Sequence, residues 1–206
     1  MTDYILENRV NIYHIIFITL VILGTVVGLR IVVHKVSYKR YCMIKYFAFF
    51  VYICCYLYLT FGYRMGIPVD SKVNVNLISN YRGRLEIIAH AFEMLKSGGF
   101  IYIGRAITDV FGCCKGAILN ILLFIPMGYF VPCILFQKNR GNWMFYIIVY
   151  VIIIFLTEIG QYSFNLGWFD LDDVFNNLIG SIIGFVFYKK LLYGIENSYL
   201  SMTSSV

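Results

Sequence analysis

The sequence predicts an all-α, polytopic integral membrane protein. It should have about five transmembrane helices and one or two amphipathic helices at the outer membrane interface. Three observations carry that expectation. Of the 206 residues, 60% are hydrophobic and only 14% are charged, whereas soluble domains average about 45–50% apolar and about 25% charged. Apolar runs close to the ~20 residues that cross a hydrocarbon layer recur along the chain. The polar residues that interrupt those runs fall at helical spacing. The whole chain, 1–206, reads as a single membrane domain with little room for a separate soluble one. The net charge of +6 fits loops that hold Lys and Arg on the cytoplasmic side. It is not gathered on one solvated face, so no nucleic-acid partner is expected.

The first span is expected at 15–33, with Arg30 near its end, where a long side chain can snorkel to the headgroups. It does not read as a cleaved signal peptide. Its leading flank is acidic, its trailing flank is basic, and no small-residue cleavage site follows. The second span is expected at 46–63. The third, at 117–136, holds Pro126 as a kink. The fourth, at 143–164, carries Glu158, and the fifth, at 174–192, ends in Lys189 and Lys190. The closing stretch 193–206 is a tail, and its end, "SYLSMTSSV" (198–206), reads as frayed. The six cysteines show neither a C-x-x-C nor a zinc spacing and read as small apolar packers.

Orientation follows from the short loops. His34, Lys35, Lys39, Arg40 and Lys45 lie between spans one and two. Lys138 and Arg140 lie between three and four, and Lys189 and Lys190 follow five. One threading puts all three clusters on the same side, which the positive-inside rule makes cytoplasmic. The amino terminus and the loop 165–173 are then outside, and the carboxy terminus is inside. The outer segment 64–115 runs against this, with seven basic residues to four acidic ones, but it is near the length at which the rule weakens.

That outer segment is more than linker. "RLEIIAHAFEMLK" sets Leu85, Ile88, Phe92 and Leu95 on one helical face and Glu86, His90 and Glu93 on another. "FIYIGRAITDVFG" repeats the pattern through Ile103, Ala106, Ile107 and Val110. Both read as helices lying within 64–116 at the interface. Glu86, His90 and Glu93 have a spacing that could hold a metal, but a solvated face explains them more simply.

The candidate site comes from depth. Glu158, Gln161, Tyr162 and Asn165 form a polar stripe on span four, and Asp173, Asn177, Gly180 and Gly184 form one on span five. Asn120 opens span three at the same, outer, end. Asn120, Glu158, Gln161, Asp173 and Asn177 should therefore meet at one membrane depth. A carboxyl inside a span usually faces a protein interior or a wet cavity. Gly180 and Gly184 make a G-x-x-x-G pair, expected to let a neighbouring helix, span four by adjacency, come close. Asp170 reads as a helix N-cap with Asp172 and Asp173 in the first turn, where acids suit the helix dipole.

Three stretches, taken in order, resemble the VanZ-like family. They are "NILLFIPMG" (120–128), Glu158 with Gln161, and "FDLDDVFNNLIGSIIG" (169–184). "VNLIS" (75–79) is similar to the family's "NLIPF"-type stretch, and the similarity covers about 53–188. The family's aspartate–asparagine pattern falls on Asp170, Asp172, Asp173 and Asn177. Two departures stand out. Many members have a basic residue before the F-D motif, where this chain has Trp168, and the proline of "NLIPF" is Ser79 here. An anion-holding role for that basic residue would pass to Arg64, Arg82 or Arg84. The resemblance implies a multi-pass protein of the bacterial cytoplasmic membrane. The family's founding member is linked to low-level tolerance of the glycopeptide teicoplanin.

Three roles follow as expectations. The outer polar groups could bind a headgroup from among the membrane lipids, a lipid-linked cell-wall precursor or a lipoglycopeptide. They could instead catalyse a hydrolase or transferase reaction on such a lipid, with Glu158 and Asp173 as acid and base. No cofactor is called for, although Asp170, Asp172 and Asp173 could hold Mg²⁺ through their oxygens. In the third role the polar groups only fix helix packing in an accessory subunit.

Overall fold

A computed structural model describes residues 37–65, 72–98, 103–134, 142–194 and 196, together with Gly24 and Gly28. The span expected at 15–33 lies outside the described residues apart from those two glycines. So do the loop cations Lys138 and Arg140 and the chain after Glu196.

Five helices make up almost all of the described chain: α1 (Tyr38–Thr60), α2 (Leu77–Gly98), α3 (Ile103–Ile134), α4 (Trp143–Ser163) and α5 (Leu171–Tyr188). A 3₁₀ turn, Gly62–Arg64, follows α1, and a π-helical turn, Lys189–Tyr193, follows α5. Two short strands, β1 (Val73–Asn74) and β2 (Phe169–Asp170), pair in parallel, Val73 beside Phe169 and Asn74 beside Asp170. Among the described residues, α1, α3 and α4 are long and apolar enough to cross a membrane. α5 falls outside that set because Asp172, Asp173, Asn176 and Asn177 occupy its first two turns.

The second interfacial helix expected from "FIYIGRAITDVFG" does not exist as a separate element. From Ile103 on, its residues form the first part of α3, which runs unbroken for 32 residues. At ~1.5 Å per residue that is about 48 Å, well beyond a hydrocarbon layer of about 30 Å. The glycines at 112 and 116 each cost a helix only about 1 kcal/mol, and α2 packs alongside α3. α2 does match the first amphipathic pattern, with a shifted face. Ala91 is buried, while Leu85, Phe92 and Leu95 are exposed.

α3 is the central element. Every residue from Phe124 to Cys133 is buried, as an apolar helix packed on all sides must be. Around it gather Tyr52 and Tyr56 of α1, Tyr146, Tyr150 and Ile154 of α4, and Phe185 and Tyr188 of α5. α1 and α4 turn Phe47, Phe50, Ile148, Ile152 and Leu156 outward. In lipid such faces need no further cover.

The closest helix pair is α3 with α5. A Cβ added at Gly180 would overlap the Ile121 carbonyl, and one at Gly184 would overlap the carbonyl of Ile125. A Cβ at Gly128 would overlap the backbone of Ser181 from the other side. The G-x-x-x-G pair therefore abuts span three, not span four as adjacency suggested. The reason is reciprocity. α3 offers Gly128 and bare backbone there, whereas α4 meets α5 through side chains, as Glu158 does with Asn177.

α3 contains both Pro126 and Pro132 without losing helical form. Pro132 has no N–H to offer the carbonyl of Gly128, four residues back. The Tyr150 hydroxyl donates to that oxygen at 2.8 Å, and so satisfies a group that lipid could not. Tyr150→Phe should lower stability by about 0.5–1.5 kcal/mol, read as a small drop in melting temperature in detergent. An unchanged melting temperature would show that the freed carbonyl needs no donor.

At the end of the bundle away from the polar stripes lies a buried ionic cluster. Lys45 is 1% exposed and Glu196 0%, and they pair at 2.8 Å. Lys45 also donates to the Cys133 carbonyl at 3.1 Å, and Tyr41 donates to the same Glu196 oxygen at 2.9 Å. One expectation changes here. Lys45 is not a loop cation but a residue inside α1, which begins ahead of position 46. Glu196, within the tail assigned to 193–206, is buried against Lys45 and Tyr41, and the stretch 198–206 expected to fray lies outside the described residues.

Candidate functional site

The opposite end is built by the turn joining α4 to α5. Phe164 closes α4, and Asn165 takes a left-handed φ of 54°, a conformation that asparagine tolerates better than most residues. The Leu166 amide returns to the Gln161 carbonyl at 2.8 Å. The chain then passes through β2, where pairing with β1 fixes its direction. Asp170 caps α5 by accepting from the Asp172 amide at 2.9 Å. Its other oxygen accepts from Asn74 Nδ2 at 3.2 Å. α5 therefore begins beside the end of α4, and the first two turns of α5 face α2, α3 and α4.

Four of the expected residues meet. Asn120 Nδ2 donates to Asp173 Oδ1 at 2.5 Å, and Asn177 Nδ2 donates to Glu158 Oε1 at 3.4 Å. Glu158 is 1% exposed, and its Oε2 has no hydrogen-bond partner among the described residues. The same holds for Asn177 Oδ1. Gln161 is buried but turns toward α1, where its Nε2 donates to the Thr60 carbonyl at 3.2 Å. Tyr162 and Asn165, the rest of that stripe, face outward.

The arginines divide. Arg64, in the turn after α1, brings its charge to bear on both Glu158 and Asp173. Its Nη1 lies where a Cβ at Gly167 would come within 2.8 Å, so the glycine leaves room for the guanidinium. Arg82 does not join the cluster. It is 80% exposed and pairs with Glu86 one turn on, at 3.2 Å. Two positions along a helix is about 200° of rotation, and Arg84 is the one that points inward. Arg84 Nη2 lies 3.1 Å from Asp172 Oδ2, and its guanidinium sits 5.2 Å over the Tyr81 ring.

The three aspartates do not converge. Asp170 faces Asn74, Asp172 faces Arg84, and Asp173 faces Asn120. Among the described residues no group of three His, Cys, Asp or Glu side chains could hold a metal ion.

Two residues not singled out in the sequence complete the cluster. Asn176 is buried, and its Oδ1 accepts from the Tyr81 hydroxyl at 2.8 Å. Asn176 follows Asp172 by one helical turn, and that spacing was the available signal. Tyr81 had none, because its partner lies 95 residues away.

The fold and this cluster define a helical membrane protein with a buried polar site at one end. The family model described as VanZ/LLP1 matches residues 49–193. The chain belongs to that family. Neither curated proteins nor solved structures gave a match.

Proposed function

We propose that this chain is a binding protein of the bacterial cytoplasmic membrane whose outward polar site holds the headgroup of a cell-envelope lipid. The observation that carries it is Glu158. A carboxylate 1% exposed, with one oxygen that has no hydrogen-bond partner among the described residues, is costly unless a further group completes it. Asn177 Oδ1, equally unpartnered, faces the same helix. Exposed Leu85 and Phe92 on α2 suit acyl chains beside that headgroup. A lipid-linked cell-wall precursor or a lipoglycopeptide would present hydroxyl and amine donors to these acceptors. Through such binding, family membership suggests a contribution to teicoplanin tolerance.

The test is native mass spectrometry of the purified chain. Wild type should retain a lipid that Glu158→Gln releases. Equal retention by both would end the headgroup reading. A second role, hydrolase or transferase, is favoured by the unlike settings of the two carboxylates. Asp173 is held by Asn120, while Glu158 keeps a free oxygen. Lipid turnover lost in both Glu158→Gln and Asp173→Asn would establish it.

The site faces outward if the amino terminus is outside and the carboxy terminus cytoplasmic, the threading that the positive-inside rule favours for the short loops. In a cysteine-free background, Phe164→Cys should react with an impermeant thiol reagent in intact cells, and Asn139→Cys should not. The reverse pattern would place the site on the cytoplasmic face.

A further inference from the structure

Adjacent cysteines occur twice on the described helices, Cys54–Cys55 on α1 and Cys113–Cys114 on α3, and the two pairs are placed differently. Cys54 is exposed, while Cys55 is half-buried. Cys113 and Cys114 are both half-buried, and their sulfurs lie 3.6 Å apart. Neighbours on a helix are about 100° apart around its axis and do not face each other, so both side chains must lean together to make that contact. The Cys113 thiol donates to the Val110 carbonyl at 3.2 Å, which leaves Cys114 as the attacking sulfur.

The pair also stands where a partner outside the hydrocarbon can reach it. The Cys133 carbonyl marks the Lys45 end of α3. From there back to Cys113 the helix rises about 30 Å at ~1.5 Å per residue, the full depth of a hydrocarbon layer. Arg105, Asp109 and Lys115 flank the pair in sequence. Arg84 on α2 is close enough for its charge to act on Cys113, and it is the arginine that pairs with Asp172.

We propose that Cys113 and Cys114 form a thiol–disulfide exchange site, which a disulfide-bearing partner at the membrane surface oxidises to an internal disulfide. The Cys114 thiolate attacks one sulfur of the partner disulfide, whose S–S bond breaks to leave a mixed disulfide and a partner thiolate. Cys113 gives its proton to that thiolate and attacks Cys114 Sγ. The Cys113–Cys114 bond forms, and the second partner sulfur leaves, taking up the proton that Cys114 had lost. Two electrons pass to the partner, which ends as a dithiol. This goes beyond headgroup binding and does not depend on it.

The oxidised pair does not fit a helix. A trans peptide holds neighbouring Cα atoms ~3.80 Å apart, short of the roughly 4.4–6.8 Å that disulfides usually span. The ring closes only if the backbone twists, so α3 opens at this point. The break falls less than two turns before Asn120, on the helix against which α2 packs. Oxidation therefore loosens the end of the bundle that holds the polar site.

The test equilibrates the full chain in detergent with mixtures of reduced and oxidised glutathione. The protein is acid-quenched, unfolded, capped with N-ethylmaleimide and weighed intact. Reduced protein should carry six maleimides, one per cysteine. Toward oxidising mixtures two should be lost together in a two-electron step, with no glutathione retained. Cys113→Ser and Cys114→Ser should each abolish that step, and Cys54→Ser should leave it intact. Oxidised wild type should melt several degrees below the reduced form, a difference absent from both serine variants at the α3 pair. Six maleimides in every mixture, a glutathione adduct in place of the internal bond, or a paired loss that survives Cys113→Ser overturns the exchange site. An oxidised form that melts like the reduced one overturns the opening of α3.

Discussion

Gly184→Leu is expected to abolish the folded protein. The position lies against the Ile125 carbonyl and the Tyr129 amide of α3, and even the first carbon of a side chain would overlap them. Backbone cannot step aside as a flexible side chain can. α3 is itself held by core contacts from Phe124 to Cys133. Ordinary overpacking costs about 1–3 kcal/mol. Here the helix pair with the closest approach must separate, so the loss should exceed that range. Size-exclusion profiles and melting temperature of the detergent-solubilised protein check it. Gly112→Ala is the control, because nothing lies within 4 Å of a Cβ there. It should be neutral or stabilising by up to about 1 kcal/mol. A monodisperse Gly184→Leu protein with wild-type melting would mean that α3 and α5 do not pack in this register.

The second large effect lies at the other end. Lys45→Met would take the counter-charge from the Glu196 carboxylate, leaving it the Tyr41 hydroxyl, and Glu196→Gln would take it from the Lys45 ammonium, leaving that the Cys133 carbonyl, each in a buried setting. Breaking one partner of a buried pair costs about 3–5 kcal/mol, whereas replacing both with apolar residues is often near neutral. Net stabilities run to only about 5–15 kcal/mol, so either single change should bring the protein close to unfolding. The double variant Lys45→Met with Glu196→Met should recover most of the loss. Melting curves of the three variants give the comparison. Single variants that melt like wild type would show the pair to be idle, and a double variant worse than both would show the packing to be charge-specific.

How far the sequence revealed the site can be followed residue by residue. Helical spacing was enough to bring Asn120, Glu158, Asp173 and Asn177 to one depth. Depth is counted along each helix and needs no knowledge of its neighbours. Rotation does need that knowledge. Gln161 shares a stripe with Glu158 yet faces Thr60 on α1. Arg82 and Arg84 could not be told apart until α2 had a fixed side against α5. The glycine pair announced a close approach but not its partner, since that depends on Gly128 in another helix. The join between the expected interfacial helix and span three was hidden for a different reason. Gly112 closes the one stretch and Gly116 precedes the other, yet a helix supported by α2 carries both without breaking. Lys45 looked like a loop cation because its partner is 151 residues distant.

That distance has a consequence for how the chain is made. At ~5–20 residues per second, Glu196 leaves the ribosome roughly 8–30 s after Lys45. Until then α1 carries a lone ammonium, which insertion scales put at about 2.5–3.5 kcal/mol when it lies at the centre of a membrane helix. The newborn α1 is better placed shallow, with Lys45 among the headgroups, than at its final depth. The carboxylate that offsets the ammonium at its final depth comes from the chain beyond α5. Helices α3 to α5, and with them the polar end, are synthesised before that carboxylate. A nascent chain stopped short of position 196 would therefore leave Lys45 without its carboxylate, a charge exposed to membrane quality control.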